Sequence, residues 1–551
     1  MNAFYFIFAF HLELVLLFPK SQILNPNSLT MSNIKLFYAA TAALLISAAV
    51  LYGENPYPPA VLKVLAHSGS NRTQLETVLK HYSRQDSLKF HAACYLIANI
   101  EGHSFIISSL YDTNKTKIDF DIFDYPDYHA LQTGFAELEA KYGKLDFQKE
   151  FEYFDLDTIS AKFLIKQIDF AFKAWREKPW AKSLSFQDFC DYILPYRGSN
   201  EPLSDWRKVF YKRCRKIQLR MKNPSDPAEA ASIINDELMS WFKFDPRFYY
   251  HPTDQGLSDF LQNKLGRCED MTNLTIYAMR SSGIAVTSDF TPYWAKSGNN
   301  HAWNAIILPE GKVIPFMGCE CNPGKYRLAG EVAKVYRKMF RQNPDNLAFH
   351  VKEGYKMPPY IKDKSIIDVT KDYTEVADLN LELDNPVPDT TDIAYLCVFN
   401  SGEWKALAWS EIEGHYAAFK DMGTNIAYLA AFYENGKIIP HRRPFILNKD
   451  GSIRYLQPSG EETTLSLNSV TKRVQIVSTD GAVTSSLKPG KTYELFFWLN
   501  QWNSLGKQTA GSEPLIFEKV PAGCLYWLAE DGSDREEERI FTFEDGNQVW
   551  W

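Results

Sequence analysis

The fold of this chain is decided by two stretches, Gly266–Asp270, which reads GRCED, and Asn300–Trp303, which reads NHAW. The helical spacing of apolar residues before the first stretch stops at its glycine, and a second helical pattern begins at Cys268. The second stretch opens a run with the composition of a strand, led by His301. A thiol at the start of a helix and an imidazole at the start of a strand are the two parts of a cysteine nucleophile with its base.

The environment expected for Cys268 favours a reactive thiol. A sulfur at the first position of a helix lies at the positive end of the helix dipole, which favours thiolate over thiol and predicts rapid alkylation below neutral pH. Strands predicted over residues 284–294 and 302–308 would pack on that helix and bring His301 to the sulfur. The resulting thiolate and imidazolium pair is what acyl chemistry requires.

The order of these motifs resembles that of the transglutaminase-like superfamily, a papain-related group in which Cys, His and usually Asp follow one another along the chain. The resemblance covers residues 250–325, and the whole arrangement resembles large exported multidomain members of this group from Bacteroidetes. It implies cysteine-dependent acyl transfer or hydrolysis of an amide, with a protein, peptide or glycopeptide as the substrate. Amidases that remove Asn-linked glycans share this core and represent a narrower variant.

The third catalytic residue is where the sequence departs from this family. By alignment with the strand predicted at residues 313–316, the usual Asp falls near Met317, which cannot orient an imidazole. Glu320 is the preferred substitute, and Asn322 is the other nearby one. Asn304 is a poorer candidate, because three residues along a regular strand place its side chain on the face opposite to that of the histidine.

Two further residues could support the catalytic pair. Gln262, six residues before Cys268, has the spacing at which papain-like enzymes place the amide that stabilises an oxyanion. Trp303 falls on the same strand face as His301 and would shield the ion pair from water. In the mechanism implied by the resemblance, Cys268 attacks the carbonyl, and His301 takes the thiol proton and returns it to the leaving amine.

The sequence favours an exported cysteine hydrolase, a peptidase or an amidase, because water outside the cell competes with an amine acceptor. The alternative is a non-catalytic binding protein, in which a degenerate core has lost the orienting acid and the C-terminal modules bind a glycan or a protein partner. We expect neither a cofactor nor a metal, because Cys319–Cys321 forms a single Cys-x-Cys without a second pair. A net charge of −7 without a sustained Lys/Arg run argues against a nucleic-acid partner.

The N-terminus indicates export to the periplasm, the cell surface or the medium. Lys35 and the apolar stretch at residues 36–51 have the cationic head and hydrophobic middle of a signal peptide that begins at Met31. Residues 1–30 are then an extension from a misassigned start. The alternative is an uncleaved membrane anchor, because the apolar stretch is only slightly short of a full span.

The chain of 551 residues is long enough for several domains. We expect an α+β protein with a helical N-terminal region, a transglutaminase-like α+β core and two tandem C-terminal β-sandwich modules. The predicted segments are the start extension at 1–30, the signal peptide at 31–53, the helical domain at 54–245, the core at 246–360, and the two modules at 361–457 and 458–551.

An internal repeat predicts the two sandwich modules, because aromatic and leucine residues recur 98 positions apart without gaps. The repeated pairs are Tyr395 and Tyr493, Phe399 and Phe497, Trp404 and Trp502, Leu407 and Leu505, Phe419 and Phe517, and Tyr428 and Tyr526. Trp404 and Trp502 therefore belong to the repeated core. Trp409 and Trp498 have no aromatic counterpart, which makes them the better candidates for a surface that stacks on a glycan.

Overall fold

The computed structural model describes residues 57–328, 331–383, 392–441, 443–472 and 487–551. The start extension and the signal peptide predicted at residues 1–53 lie outside these ranges. The chain divides into two compact units, residues 1–62 and 63–551. Helix α1, Pro59–His67, begins in the first unit, and every contact given below lies in the second. Within the described ranges, no helix is both long and apolar enough to cross a membrane.

The N-terminal region is largely helical, as predicted. Its further helices are α2 (Arg72–Tyr82), α3 (Ser87–Ala98), α4 (Tyr128–Tyr142), α5 (Asp155–Thr158), α6 (Ala161–Glu177), α7 (Phe186–Tyr192), α8 (Trp206–Arg213) and α9 (Pro227–Met239). Helix α6 shows why they form, because the Ser160 side chain accepts a hydrogen bond from the Phe163 N–H at its start. Leu164, Ile168 and Phe172 then recur at helical spacing on its buried side.

A small antiparallel sheet interrupts these helices, and the patterns considered above do not predict it. Its strands are β1 (Ser104–Tyr111), β2 (Lys117–Ile118) and β3 (Asp146–Phe154), in the order β2-β1-β3. Apolar and polar residues alternate along part of β3, which is typical of a strand with one covered face. Leu110 and Phe147 on this sheet belong to one apolar cluster with Leu138 of α4.

The core is a helix packed on a five-stranded sheet. Its elements are β4 (Lys243–Phe244), α10 (Leu257–Asn263), β5 (Leu265–Gly266), α11 (Cys268–Ser281), β6 (Val286–Thr291), β7 (His301–Ile307), β8 (Val313–Phe316), β9 (Tyr336–Lys338) and β10 (Ile366–Asp368). The larger sheet has the order β10-β9-β6-β7-β8, and the buried helix α11 packs against β6 and β7. These three elements lie close to the positions predicted for them, and β7 begins with His301.

The C-terminal region contains two β modules with one topology. The strands of the first are β11 (Val376–Glu382), β12 (Ile393–Asn400), β13 (Glu403–Glu413), β14 (Tyr416–Gly423), β15 (Ile426–Glu434), β16 (Lys437–Pro440), β17 (Phe445–Leu447) and β18 (Ile453–Tyr455). Those of the second are β19 (Glu462–Leu467), β20 (Thr492–Leu499), β21 (Gln501–Thr509), β22 (Leu515–Pro521), β23 (Tyr526–Glu530), β24 (Ile540–Glu544) and β25 (Asn547–Trp550).

The order β11-β14-β13-β12-β15-β17-β18 in the first module is matched by β19-β22 and β21-β20-β23-β24-β25 in the second. A tyrosine hydrogen bond is repeated as well, because the Tyr428 hydroxyl donates to the Gly423 carbonyl at 2.7 Å and the Tyr526 hydroxyl donates to the Pro521 carbonyl at 2.5 Å. This common topology is what duplication of one module produces. The predicted fold class, an α+β chain with C-terminal sandwich modules, is confirmed.

The two modules meet through a cluster of aromatic rings. The ring of Trp498 lies 4.9 Å from that of Trp502 and 5.6 Å from that of Trp404, between centroids. Trp498 is only 3% exposed, so the prediction that it forms a surface for a glycan is wrong. Trp404 is buried, as predicted for a core residue. Trp409, the other surface candidate, is half-buried with its ring 5.0 Å from that of His350.

Candidate active site

Cys268 and His301 line one cleft with a volume of about 710 Å³. The N-terminal region contributes residues of β1 and of the segment between Pro195 and Asn200 to its lining. Residues between Tyr360 and Ser365 line it as well. The N-terminal region therefore forms one wall of the cleft that contains both predicted catalytic side chains.

Cys268 is held at the start of α11 by a capping interaction. The backbone N–H of Arg267 donates to Oδ2 of Asp270 at 3.0 Å, which fixes the first turn of the helix. The cysteine is 7% exposed, and the backbone N–H of Ala302 acts on its sulfur to lower the pKa of the thiol. Since Ala302 follows His301 directly and both line the same cleft as Cys268, the start of β7 faces the cleft that contains the sulfur.

The resting state of Cys268 is a thiol. Burial raises the pKa of the Cys268 thiol, and the neighbouring Glu269 carboxylate acts in the same direction. The Ala302 N–H and the Arg267 guanidinium oppose this shift without cancelling it. Burial therefore outweighs the helix dipole on which the expectation of a thiolate depends.

The His301 ring hydrogen-bonds a tyrosine. Its Nε2 lies 3.0 Å from the hydroxyl oxygen of Tyr326, and its centroid lies 5.9 Å from that of Trp294 and 5.8 Å from that of Trp303. Burial lowers the pKa of His301 to about 4, so the ring is neutral near neutral pH. Burial also raises the pKa of Tyr326, so the group that touches the imidazole is a neutral phenol and not a carboxylate.

Glu320, the preferred orienting group, does not contact this ring. It lies in the turn after β8, where its backbone N–H donates to the Met317 carbonyl at 3.1 Å, and its side chain is exposed. Among the residues that the structure describes, no hydrogen bond joins Glu320 to His301. The turn carries the glutamate past the position that the strand alignment assigns to the family's Asp.

The side chains of Asn322 and Asn304 hydrogen-bond groups other than the His301 ring. The Asn322 side chain accepts from Nδ2 of Asn235 at 3.0 Å and donates to Asp236 at 2.7 Å, which ties it to α9. Nδ2 of Asn304 donates at 3.2 Å to the carbonyl of Thr272 in α11. Neither asparagine is therefore placed to orient the imidazole.

Of the two predicted supporting residues, Trp303 lies beside His301 and Gln262 lies outside the cleft lining. Gln262 is exposed on α10 and is not part of the cleft lining, so its amide is not placed to hold an oxyanion. Trp303 is fully buried, and its ring lies beside that of His301. An indole in this position covers one side of the imidazole, and burial of the ring lowers its pKa.

The site also contains residues that the sequence reasoning missed. Tyr326 lies in the loop after β8, and no spacing rule relates it to His301. Tyr360 accepts a hydrogen bond from Nδ2 of Asn300 and has a φ of 64°, a left-handed conformation that aromatic residues rarely adopt. The Pro358-Pro359 pair before Tyr360 and the position of Asn300 next to the histidine were the available signals.

Charged side chains around Cys268 are paired with one another. Glu269 forms an ion pair with Lys338, and Nζ of Lys338 also donates to Oγ of Ser199 at 2.7 Å. Burial would raise the pKa of Glu269, but the charges of Lys338 and Arg267 lower it to about 2. The carboxylate therefore remains ionised beside the thiol at every pH at which the protein would work.

These pKa values predict the pH dependence of alkylation at Cys268. Between about pH 5 and the raised pKa of the thiol, the resting couple is a thiol and a neutral imidazole. Iodoacetamide should therefore react slowly at pH 6 to 7, and the rate should rise with a midpoint above the value of about 8.5 that is usual for cysteine. Mass spectrometry of the peptide that contains Cys268 measures this rate, and a plateau of fast alkylation below pH 7 would contradict it.

Residues 215–316 match a family described as the transglutaminase-like superfamily. No curated protein matches the chain. Among solved structures, the transglutaminase of red sea bream is similar over 81% of this chain and 77% of that one, with 10% sequence identity and a TM-score of 0.19. A TM-score this low carries no argument about fold or function. The segment that matches this family contains both Cys268 and His301.

Proposed function

We propose that this protein is an exported cysteine-dependent amide or peptide hydrolase, or an acyltransferase, with Cys268 as the nucleophile and His301 as the base. The observation that carries the proposal is that Cys268, at the start of α11, and His301, at the start of β7, line the same cleft. A nucleophile and a base on adjacent, rigid elements in an open cleft are the minimum that acyl transfer needs.

In the proposed reaction, the sulfur of Cys268 attacks the substrate carbonyl while neutral His301 removes the thiol proton. The tetrahedral intermediate collapses to a thioester, and the same proton passes from the imidazolium to the departing amine. Water then attacks the thioester and regenerates the thiol, or an amine does so in a transferase. Backbone N–H groups of the first turn of α11 lack partners within the helix and are available to the oxyanion.

Tyr326 takes the place of the orienting acid in this mechanism. In the tautomer that carries its proton on Nε2, the ring donates a hydrogen bond to the Tyr326 hydroxyl oxygen, which fixes the ring plane and leaves Nδ1 unprotonated to take the proton of the thiol. A phenol does not supply the negative charge with which a carboxylate stabilises an imidazolium. We therefore propose a slower catalyst than one with a complete triad, acting on a protein, peptide or glycopeptide.

The second candidate function is binding without catalysis. The feature that favours it is the protonation state of the pair. The pKa of the Cys268 thiol is raised and that of the His301 imidazole is about 4, so the two groups are not an activated pair at rest. In this alternative, the cleft and the sandwich modules would hold a glycan or a protein partner. The two functions differ in whether the thiol accepts an acyl group with the help of His301.

An activated ester tests the proposal without knowledge of the natural substrate. With p-nitrophenyl acetate at pH 7, the protein should release up to one equivalent of nitrophenolate per chain as Cys268 is acylated. His301→Ala should slow this phase by about 100-fold, which is typical of the loss of a general base. The matched control is His350→Ala, since His350 lies on the surface beside Glu411. If acylation is absent, or is equally fast without the imidazole, the binding function is favoured.

A further inference from the structure

The segment that leads into His301 is held from outside the core. We define it as the His loop, residues 292–300, and it includes Trp294, whose ring stacks on that of His301 at an interplanar angle of 22°. One side chain of the first sandwich module, Asn400 at the end of β12, donates through Nδ2 to three carbonyls of this loop. The acceptors are the carbonyls of Trp294 and Ser297, both at 3.0 Å, and that of Asn299 at 2.9 Å.

The geometry of this contact suits an asparagine at position 400 better than most other side chains. The residue is 2% exposed, and a single amide group with two N–H bonds serves three acceptors. No other uncharged side chain of similar size offers two hydrogens from one atom in this way, apart from the longer glutamine. Without the amide, the carbonyls of the half-buried Trp294 and Ser297 would lose this donor, whereas the Asn299 carbonyl would keep the hydrogen bond from the Trp294 N–H at 3.1 Å.

The second module reaches the same loop. Oε1 of Glu536 accepts from Nδ2 of Asn299 at 3.3 Å. The backbones also approach closely, because a Cβ on Gly298 would lie 2.3 Å from the carbonyl oxygen of Glu536. Only glycine fits there, so the loop and the second module have matched shapes as well as a hydrogen bond.

We propose that the C-terminal modules are part of the catalytic unit, and that Asn400 is a positioning residue for His301. By fixing the His loop, Asn400 holds the indole of Trp294 against the imidazole and sets where β7 begins. This inference rests on the proposed function of the Cys268 and His301 pair. It gives the modules a role inside the chain that is separate from any binding of a glycan or a partner.

A double-mutant cycle tests whether Asn400 acts through His301. In the full chain, Asn400→Ala should slow acylation of Cys268 by p-nitrophenyl acetate by about 10-fold, since several hydrogen bonds are lost. In the His301→Ala background the same change should have less than about a 2-fold effect, because there is no longer an imidazole to position. A merely structural role would slow both backgrounds equally.

Two further variants keep the outcome decisive. Asn448→Ala is the control and should leave the rate unchanged, because the Asn448 side chain donates to Ser452 in an exposed turn of the same module. If Asn400→Ala does not fold, Glu536→Ala weakens the loop from the second module and should show the same non-additivity with a smaller loss of about 3-fold. Equal losses in both backgrounds, or no loss, would overturn the inference. A His301→Ala variant as fast as the unaltered protein would overturn the proposed function itself.

Discussion

Replacing Cys268 with alanine should abolish acylation of the protein by an activated ester. The expected loss exceeds about 10³-fold, because removal of the attacking atom leaves only binding and oxyanion stabilisation. The measurement is the burst of nitrophenolate at pH 7 to 8, together with intact-mass detection of the acetyl group. Turnover of casein or of a simple amide, if the unaltered protein shows it, should be lost to the same extent.

The other thiols should contribute little background to this experiment. Burial raises their pKa values to about 11 or 12 at Cys94, Cys190, Cys214, Cys319 and Cys524. Cys321 is the most accessible of the remaining cysteines, being half-buried in the turn after β8, so Cys321→Ala is the matched control and should keep the burst. A burst that persists in the Cys268→Ala protein would show that the nucleophile has been assigned to the wrong residue.

Removing Asp155 should give the largest loss of stability among single substitutions in the N-terminal region. Its carboxylate is fully buried, accepts from Nε of Arg197 at 2.6 Å and accepts from the Tyr196 hydroxyl at 2.9 Å. Asp155→Ala would leave the Arg197 guanidinium buried without its counter-charge, which typically costs about 3–5 kcal/mol. For a domain of this size we expect the thermal midpoint to fall by about 6–20 °C.

An exposed ion pair of the same region provides the comparison. Glu237 forms a partly exposed pair with Arg213 at 2.5 Å, and Glu237→Ala should cost no more than about 1 kcal/mol. Differential scanning calorimetry of the full chain measures the thermal midpoint of both variants. Similar small shifts for both would mean that the buried pair contributes no more than a surface pair does. Arg197 also lines the cleft, so the wall itself depends on this ion pair.

The elements around Cys268 could be predicted from the sequence because their signals are local. The apolar face of α11 and the strand that starts at His301 each depend on residues next to one another in the chain. The left-handed stop expected at Gly266 is instead made by Lys264, with a φ of 58°, and Gly266 lies in β5. The duplicated modules could be predicted as well, because a fixed offset between aromatic residues can be recognised in the sequence without knowledge of how the residues pack. The sheet of β1, β2 and β3 was missed because its strands lie among strong helical patterns, and the alternation in β3 is short.

The surroundings of the imidazole could not be predicted in the same way. Tyr326 reaches His301 from a loop of irregular backbone, whose path is set by packing and not by a repeat of two or 3.6 residues. The alignment with β8 places the family's Asp near Met317, and the substitutes predicted for it are carboxylates and amides, whereas the side chain that contacts the ring is a phenol. The charge state of Cys268 was also missed, because a sequence indicates the helix dipole but not the extent of burial that opposes it.

The contact between Asn400 and the His loop has an evolutionary consequence. With the offset of 98 residues between the two copies, the position of Asn400 in the first corresponds to that of Trp498 in the second. The same position at the end of a strand thus carries an amide in the first copy, which hydrogen-bonds the His loop. In the second copy it carries an indole, which packs between the two modules. Because the two copies now have different roles at this position, deletion or replacement of either module would disturb the other.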